Sequence, residues 1–228
     1  MPCENRCDDE ILICATCGGS LCAECGSCAG CGASVPMEGK VLRLLGESDA
    51  FYEGAYQTQI HLPESALETI HGRTLLPFIT FGYLNAIVRH VPRGARLLEL
   101  GCGSGMQLAA TRYSVTAVEL SLSSLRGTPD GYRHRIQADV NRLDFRPGTF
   151  DAIAASCFWE HFTPAQKDRL LEKFSRWLKP EGRLILVFDT ASQNPGFRWL
   201  RRFPDLYQRR FIDHDGHFGL ETPSENRT

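Results

Sequence analysis

The chain has 228 residues, 43% of them hydrophobic and 23% charged. That is room for one medium domain and a small appendage, with the balance of an ordinary soluble globular protein. The formal charge of −2 gives no general pull toward nucleic acid. No apolar run is long enough to span a bilayer, and the N-terminus lacks a basic-then-apolar leader, so a cytoplasmic protein without membrane contact is expected.

Residues 1–39 carry eight of the ten cysteines, as Cys3/Cys7, Cys14/Cys17, Cys22/Cys25 and Cys28/Cys31. Three of these pairs are CxxC, the spacing with which one tight turn offers two thiolates to a tetrahedral ion. In a reducing compartment such a cluster reads as metal binding rather than as a disulfide framework. Eight ligands suffice for two closed four-cysteine zinc sites, with an iron–sulfur cluster as the other use of the same ligands. Sequential pairing would join Cys3, Cys7, Cys14 and Cys17 in one site and Cys22, Cys25, Cys28 and Cys31 in the other. Interleaved pairing would join Cys14, Cys17, Cys28 and Cys31, leaving Cys3, Cys7, Cys22 and Cys25; spacing does not choose. Ile11, Leu12, Ile13 and Leu21 are so small an apolar set that metal must supply most of the module's folding energy, on the order of 10 kcal/mol per ion. Six acids stand against Arg6 alone in this segment, and eight thiolates on two zinc ions would add about four further negative charges. That is a poor surface for a phosphate backbone.

Residues 40–91 read as a connector and a helical lead-in. Phe51, Tyr52 and Tyr56 fit one helical face. From 63 to 91, Leu75, Leu76, Ile79, Leu84, Ile87 and Val88 recur at three-to-four spacing, with Pro77 near a start or kink. Pro92-Arg93-Gly94 closes this stretch.

A third segment, 92–190, alternates strands and helices. Leu97, Leu98 and Leu100 read as a buried parallel strand, which is apolar on both faces. It ends in Glu99-Leu100-Gly101-Cys102-Gly103-Ser104-Gly105, and Met106–Ala110 then starts a helix. Glycines here make a tight turn and let a ligand lie on bare backbone. A dinucleotide fingerprint would need its third glycine where Met106 stands, and a P-loop would need Lys-Ser or Lys-Thr after the turn. The ligand is therefore not one held by its phosphates. Further strands are expected at Val115–Glu119, Ile136–Asp139, Phe150–Ser156 and Arg183–Phe188, with helices at Leu120–Arg126 and Pro164–Leu178. This order means an α/β fold with a doubly wound, mostly parallel sheet.

Taken together, these stretches resemble the class I S-adenosylmethionine (SAM) methyltransferases, from about Pro92 to Asp189. Glu99 to Gly105 is similar to motif I, Val118-Glu119 to the ribose-binding acid and Gln137-Ala138-Asp139 to the adenine acid. Phe150–Ile153 through Phe158-Trp159-Glu160-His161-Phe162 resembles the strand-four motif, and Leu178–Gly182 the turn before strand five. The resemblance implies a Rossmann-like domain whose cofactor residues are Glu99, Gly101, Cys102, Gly103, Gly105, Glu119, Leu120, Asp139, Val140 and Ser156. A zinc ribbon followed by a Gly-Lys-Val-Leu-Arg-like strand and a Phe-Tyr-Glu-Gly-x-Tyr segment also looks like the lead-in of zinc-bearing methyltransferases. There this segment folds over the SAM pocket, which would bring Tyr52 or Tyr56 to it.

The last segment, 191–228, is a basic, lid-like tail. Phe197, Leu200, Phe203 and Leu206 share one face, ringed by Arg198, Arg201, Arg202, Arg209 and Arg210. Asp213 to Gly219 then places His214 and His217 in a glycine-flexed loop. With His161 these are the candidate catalytic residues, each as a base or acceptor contact. Too few residues follow Phe188 for the family's closing hairpin, so strand five is expected at an edge covered by the tail, a second copy or a partner. The leading expectation is methyl transfer from SAM to a small-molecule acceptor beside a structural zinc module. The alternatives are an RNA base methyltransferase of the zinc-ribbon rRNA type and a non-catalytic partner or scaffold subunit.

Overall fold

The computed structural model describes residues 10–46, 53, 76–189, 199, 202–209, 216, 218 and 221. Nine strands stand among them: β1 (Leu12–Ile13), β2 (Ser20–Leu21), β3 (Met37–Glu38), β4 (Val41–Arg43), β5 (Arg96–Leu100), β6 (Ser114–Glu119), β7 (His134–Gln137), β8 (Phe150–Ser156) and β9 (Leu178–Val187). The helices are α1 (Leu76–His90), α2 (Gln107–Arg112), α3 (Leu122–Arg126), α4 (Pro164–Trp177) and α5 (Pro204–Tyr207). None is long and apolar enough to cross a membrane.

β1 and β2 form a small antiparallel pair, and the other seven strands form one sheet in the order β3-β4-β7-β6-β5-β8-β9. Within it only β3 runs antiparallel to its neighbour; every other pairing is parallel. From β5 the chain passes to β6 on one side and later to β8 on the other, so the sheet reverses direction beside β5. Ligands of open α/β sheets bind at such a point, beyond the strands' C-terminal ends.

Both sheet faces are buried, and the alternation of side chains sorts the core. One face carries Leu98, Leu100, Val118, Ile136 and Ile153 against Leu170, Phe174 and Trp177 of α4. The same cluster takes in Ile11, Leu12 and Leu21 of the cysteine module. The other face carries Leu97, Val115, Ala117 and Ala152 against Tyr83 and Ile87 of α1 and Leu122 and Leu125 of α3. α4 starts where its sequence says it should: Thr163 and Gln166 form a capping box and Pro164 takes a first-turn position, where no amide donor is needed.

Three boundaries differ from expectation. The third strand ends at Gln137, leaving Asp139 on the loop beyond it. The fifth begins at Leu178: Leu178 pairs with Phe150 and Arg183 with Ala152, so the expected Lys179–Gly182 turn is held as an irregularity inside the strand. β3 and β4 form a hairpin that crosses the expected module boundary at residue 39, and β4, on the Gly-Lys-Val-Leu-Arg stretch expected to be a strand, adds to the sheet beside β7. No strand follows β9 among the described residues, so β9 is an edge with Leu184 exposed.

Candidate functional site

The three motif glycines all have positive φ, at +61° (Gly101), +52° (Gly103) and +68° (Gly105), a region that L side chains rarely adopt. Their surroundings differ. A Cβ at Gly101 would meet the Phe158 ring at 2.8 Å, and one at Gly105 the Tyr132 hydroxyl at 2.7 Å. At Gly103 nothing among the described residues lies within 4 Å. The outer two glycines are thus packed by aromatics of this chain, and the described residues leave the Cβ position of the middle one open.

Glu99 is buried beneath that turn. Tyr132 donates to Glu99 Oε2, and Tyr83 donates to Glu99 Oε1 at 3.4 Å. The Tyr132 oxygen also accepts from Met106 N–H at 2.8 Å, tying the start of α2 to β5. Burial pushes the Glu99 carboxyl up to about 7, although the tyrosine hydroxyls pull the other way.

Glu119, at the end of β6, accepts from Gly103 N–H at 3.1 Å, Leu120 N–H at 2.7 Å and Ser121 N–H at 3.1 Å. Burial raises its pKa against these amides. It therefore stands directly beside the open glycine. Glu53 reaches the same place: its carboxylate accepts from Leu122 N–H, from Ser123 N–H at 3.2 Å and from Ser121 Oγ at 3.4 Å. Burial alone would raise the Glu53 pKa, but these donors, led by Leu122, leave it lowered. Of the connector's Phe51–Tyr56 run, Glu53 is thus seated next to the proposed ribose acid. Tyr52 and Tyr56 lie outside the described residues.

Asp139 Oδ1 accepts from Asn141 N–H and Nδ2, each at 2.9 Å, a side-chain turn that shapes the loop after β7. Val140 is buried. Cys102 Sγ donates to the Gly103 carbonyl at 3.3 Å, and Ser156 Oγ lies 3.8 Å from Cys157 Sγ. Cys157 has φ 51°, a costly conformation for a residue with a Cβ, of the sort that gathers at functional sites.

Beyond β8, His161 Nδ1 lies 3.0 Å from the Gly216 carbonyl oxygen. A carbonyl only accepts, so Nδ1 carries the proton of the neutral ring. Lys167 Nζ lies 2.5 Å from Glu221 Oε2, and these two contacts seat points of the tail on this end of the sheet. His214 and His217 lie outside the described residues. Glu160 is buried, and its Oε2 has no hydrogen-bond partner among the described residues. Burial, then the Asp189 charge, push its carboxyl up to about 7.

In the cysteine module the sulfurs of Cys14, Cys17, Cys28 and Cys31 all lie within 4.8 Å of one another, Cys14 to Cys31 at 3.9 Å and Cys17 to Cys28 at 3.5 Å. Four thiolates about 2.3 Å from a tetrahedral ion sit about 3.8 Å apart, so this quartet fits zinc, in the interleaved arrangement. Cys22 and Cys25 are disulfide-bonded, which differs from the second zinc site expected of them, because an oxidised sulfur is not a thiolate ligand. Cys3 and Cys7 lie outside the described residues.

Reading the sequence missed Tyr132, Tyr83, Glu53 and Glu160. Glu160 had a signal, an acid in the strand-four motif, and Glu53 lies in the Phe-Tyr-Glu-Gly-x-Tyr segment expected over the pocket; the two tyrosines are joined to the motif only by folding.

A sequence profile of the family described as "Methyltransferase domain" matches residues 98–186. The ubiquinone biosynthesis O-methyltransferase of Xylella fastidiosa (strain 9a5c) is 36% identical over 115 residues, covering 45% of this chain and 46% of that protein. The ubiquinone/menaquinone biosynthesis C-methyltransferase UbiE of Blochmanniella pennsylvanica is 37% identical over 81 residues, 36% of this chain and 30% of that one. The chain thus spans less than half the length of each of these relatives. Among solved structures, the YcgJ protein of Bacillus subtilis superposes with a TM-score of 0.51 over 65% of both chains at 19% identity. A "possible exported protein" of Bordetella parapertussis does so at 0.55 over 77% of this chain and 70% of that one, at 17% identity. Those two share the fold; the match to the methyltransferase-domain profile falls on the stretch, residues 98–186, that holds the glycine turn and the strand ends just described.

Proposed function

We propose that this protein transfers a methyl group from SAM to a small-molecule acceptor. The observation that carries the reading is Glu119 held by the amides of Gly103, Leu120 and Ser121 beside the open Cβ position of Gly103. Oε2 of Glu119 takes one of these N–H groups and keeps acceptor capacity, so a ribose hydroxyl can donate to it. Asp139 Oδ2, next to Arg142 Nε at 3.6 Å, is the acceptor for an exocyclic adenine amine, and Val140 offers apolar cover. The methionine part lies along Gly103, over a Glu99 already turned inward to its tyrosines. Acids at two strand tips suit a cofactor without phosphates and would repel one that has them.

SAM, when bound, supplies a methyl carbon activated by a sulfonium, so the protein's task is to align the acceptor. A base is needed only if the acceptor loses a proton. For that role His161 is the proposed residue; its Nδ1 contact with the Gly216 carbonyl at 3.0 Å orients the ring. The small-molecule class follows from the acidic cysteine module and from relatives named for quinone biosynthesis. The quartet Cys14, Cys17, Cys28 and Cys31 is assigned one structural zinc, fully ligated by protein and so without an open catalytic position.

Calorimetry with S-adenosylhomocysteine tests the cofactor assignment. Wild type should bind one equivalent, and Glu119→Gln should weaken binding by about tenfold or more, the loss of a hydrogen bond to a charged group. Equal binding by the variant would remove the ribose assignment, and no binding by wild type the reading as a whole.

A further inference from the structure

The loop between β7 and β8 is gripped from two sides by groups that the cofactor reading does not use. On one side stands Lys173 of α4. Its Nζ donates to the carbonyl oxygens of Val140 at 3.1 Å, Asn141 at 2.7 Å and Leu143 at 2.7 Å. An ammonium has three N–H bonds, and each of them meets a backbone carbonyl of this one loop. A charge placed so is committed to holding a shape.

On the other side stands the first strand of the cysteine module. Leu12 bridges antiparallel to Phe145, Ile13 N–H donates to the Asp144 carbonyl at 3.0 Å, and Arg146 N–H donates to the Ile11 carbonyl at 2.9 Å. Trp177 Nε1–H fixes Asp144 Oδ1 at 2.5 Å, and the Phe145 ring packs edge-on against Phe150 and Trp177. Cys14, a member of the sulfur quartet, directly follows Ile13. Ordering the quartet therefore orders β1, and β1 orders 144–146. Between that point and the end of β7 lie only Ala138 to Leu143, with Asp139 and Val140 among them.

We propose that the cysteine module, through β1, and Lys173 are positioning elements for the adenine half of the cofactor site, so that metal in the module strengthens cofactor binding without touching the cofactor. The inference rests on the reading of Asp139 and Val140 as the adenine subsite. If the untied loop keeps its binding shape about one-tenth of the time, apparent affinity falls about tenfold. The loss sits at the adenine end, so adenosine alone should suffer as much as the whole cofactor product.

The test uses the full chain in three forms: zinc-loaded wild type, the same protein after chelation, and zinc-loaded Lys173→Met. Calorimetry with S-adenosylhomocysteine and with adenosine is read beside amide hydrogen exchange. Expected are about tenfold weaker binding of both ligands in the two altered forms and faster exchange at 139–146. Exchange at Leu97–Leu100 and Ala152–Ala155 should stay slow, and Lys173→Arg, which keeps the donors, should recover most of the affinity. Unchanged affinity with a quiet loop in Lys173→Met removes the lysine's role, and the same result after chelation removes the module's. Should chelation also open the central strands, the module's effect is not confined to this loop and its part of the proposal falls, while the zinc-loaded lysine variants decide the lysine's part. Wild type that binds neither ligand would instead strike the cofactor reading on which the proposal stands.

Discussion

Gly103 and Gly105 share a motif and a backbone conformation, yet substitution should injure them differently. Gly103→Ala meets no described neighbour within 4 Å, so its stability cost is backbone strain, about 1 kcal/mol. Its methyl group would fill the ligand's place, so cofactor binding should be lost while the melting temperature falls little. Gly105→Ala drives a carbon against the Tyr132 hydroxyl and should lower the melting temperature before binding is even measured. Thermal denaturation and calorimetry on the two variants check the contrast. Two buried acids add a pH dependence. Glu99 and Glu160 are both pushed up to about 7 from an ordinary value of 4.5. A raised acid binds its proton more tightly folded than unfolded, so the proton's contribution is full below about pH 4.5 and is lost as pH rises through 7. Stability should therefore decline across that window. Glu160→Gln, neutral in both states, should flatten its share of the slope in denaturant titrations at about pH 5 and about pH 8; an unaltered slope would count against this account of Glu160.

The strands were the most legible elements. Their apolar runs mark both-face burial, and Leu97, Leu98 and Leu100 are fully buried as their pattern demands. α4 was equally plain, because a cap and a repeating apolar stripe are local signals. β4 was legible only through the resemblance, as the Gly-Lys-Val-Leu-Arg strand, and β3 not at all: each is too short to carry a pattern, and what makes the pair part of the sheet is the partner β7, supplied from nearly a hundred residues away. The irregular start of β9 escaped for the same reason, since Lys-Pro-Glu-Gly reads as a turn until Phe150 is set beside Leu178. Interleaved cysteines could be drawn but not chosen, because two turns with equal spacing differ only in what folding brings opposite them. Serine at Cys14 or Cys31 removes one of four ligands, so zinc measured per chain should fall below one while the parent carries one.

The chain's core does not stop at the edge of the cysteine module. Ile11, Leu12 and Leu21 belong to the same buried cluster as Leu98, Leu100 and Trp177, so module and sheet should unfold together. Scanning calorimetry should give a single transition that moves to lower temperature on chelation; a separate early transition for the module would contradict this. The candidate acids Glu119 and Asp139 could be named in sequence because the ends of strands, and the loops just beyond them, are where such folds take ligands. The hydroxyls that hold Glu99 were invisible because nothing local announces them, and Glu53 was passed over for the tyrosines that flank it in its segment.

The hairpin of β3 and β4 has a last consequence. It occupies the hydrogen-bonding rim of β7, a row of amides that would otherwise offer a template to any passing strand. A version of this protein that begins after β4 would present that raw rim to its own copies, and should be recovered from cells as insoluble material. The strand that follows the cysteine-bearing segment thus covers an edge as well as joining two parts of the chain, and a truncation that removes β4 should expose it.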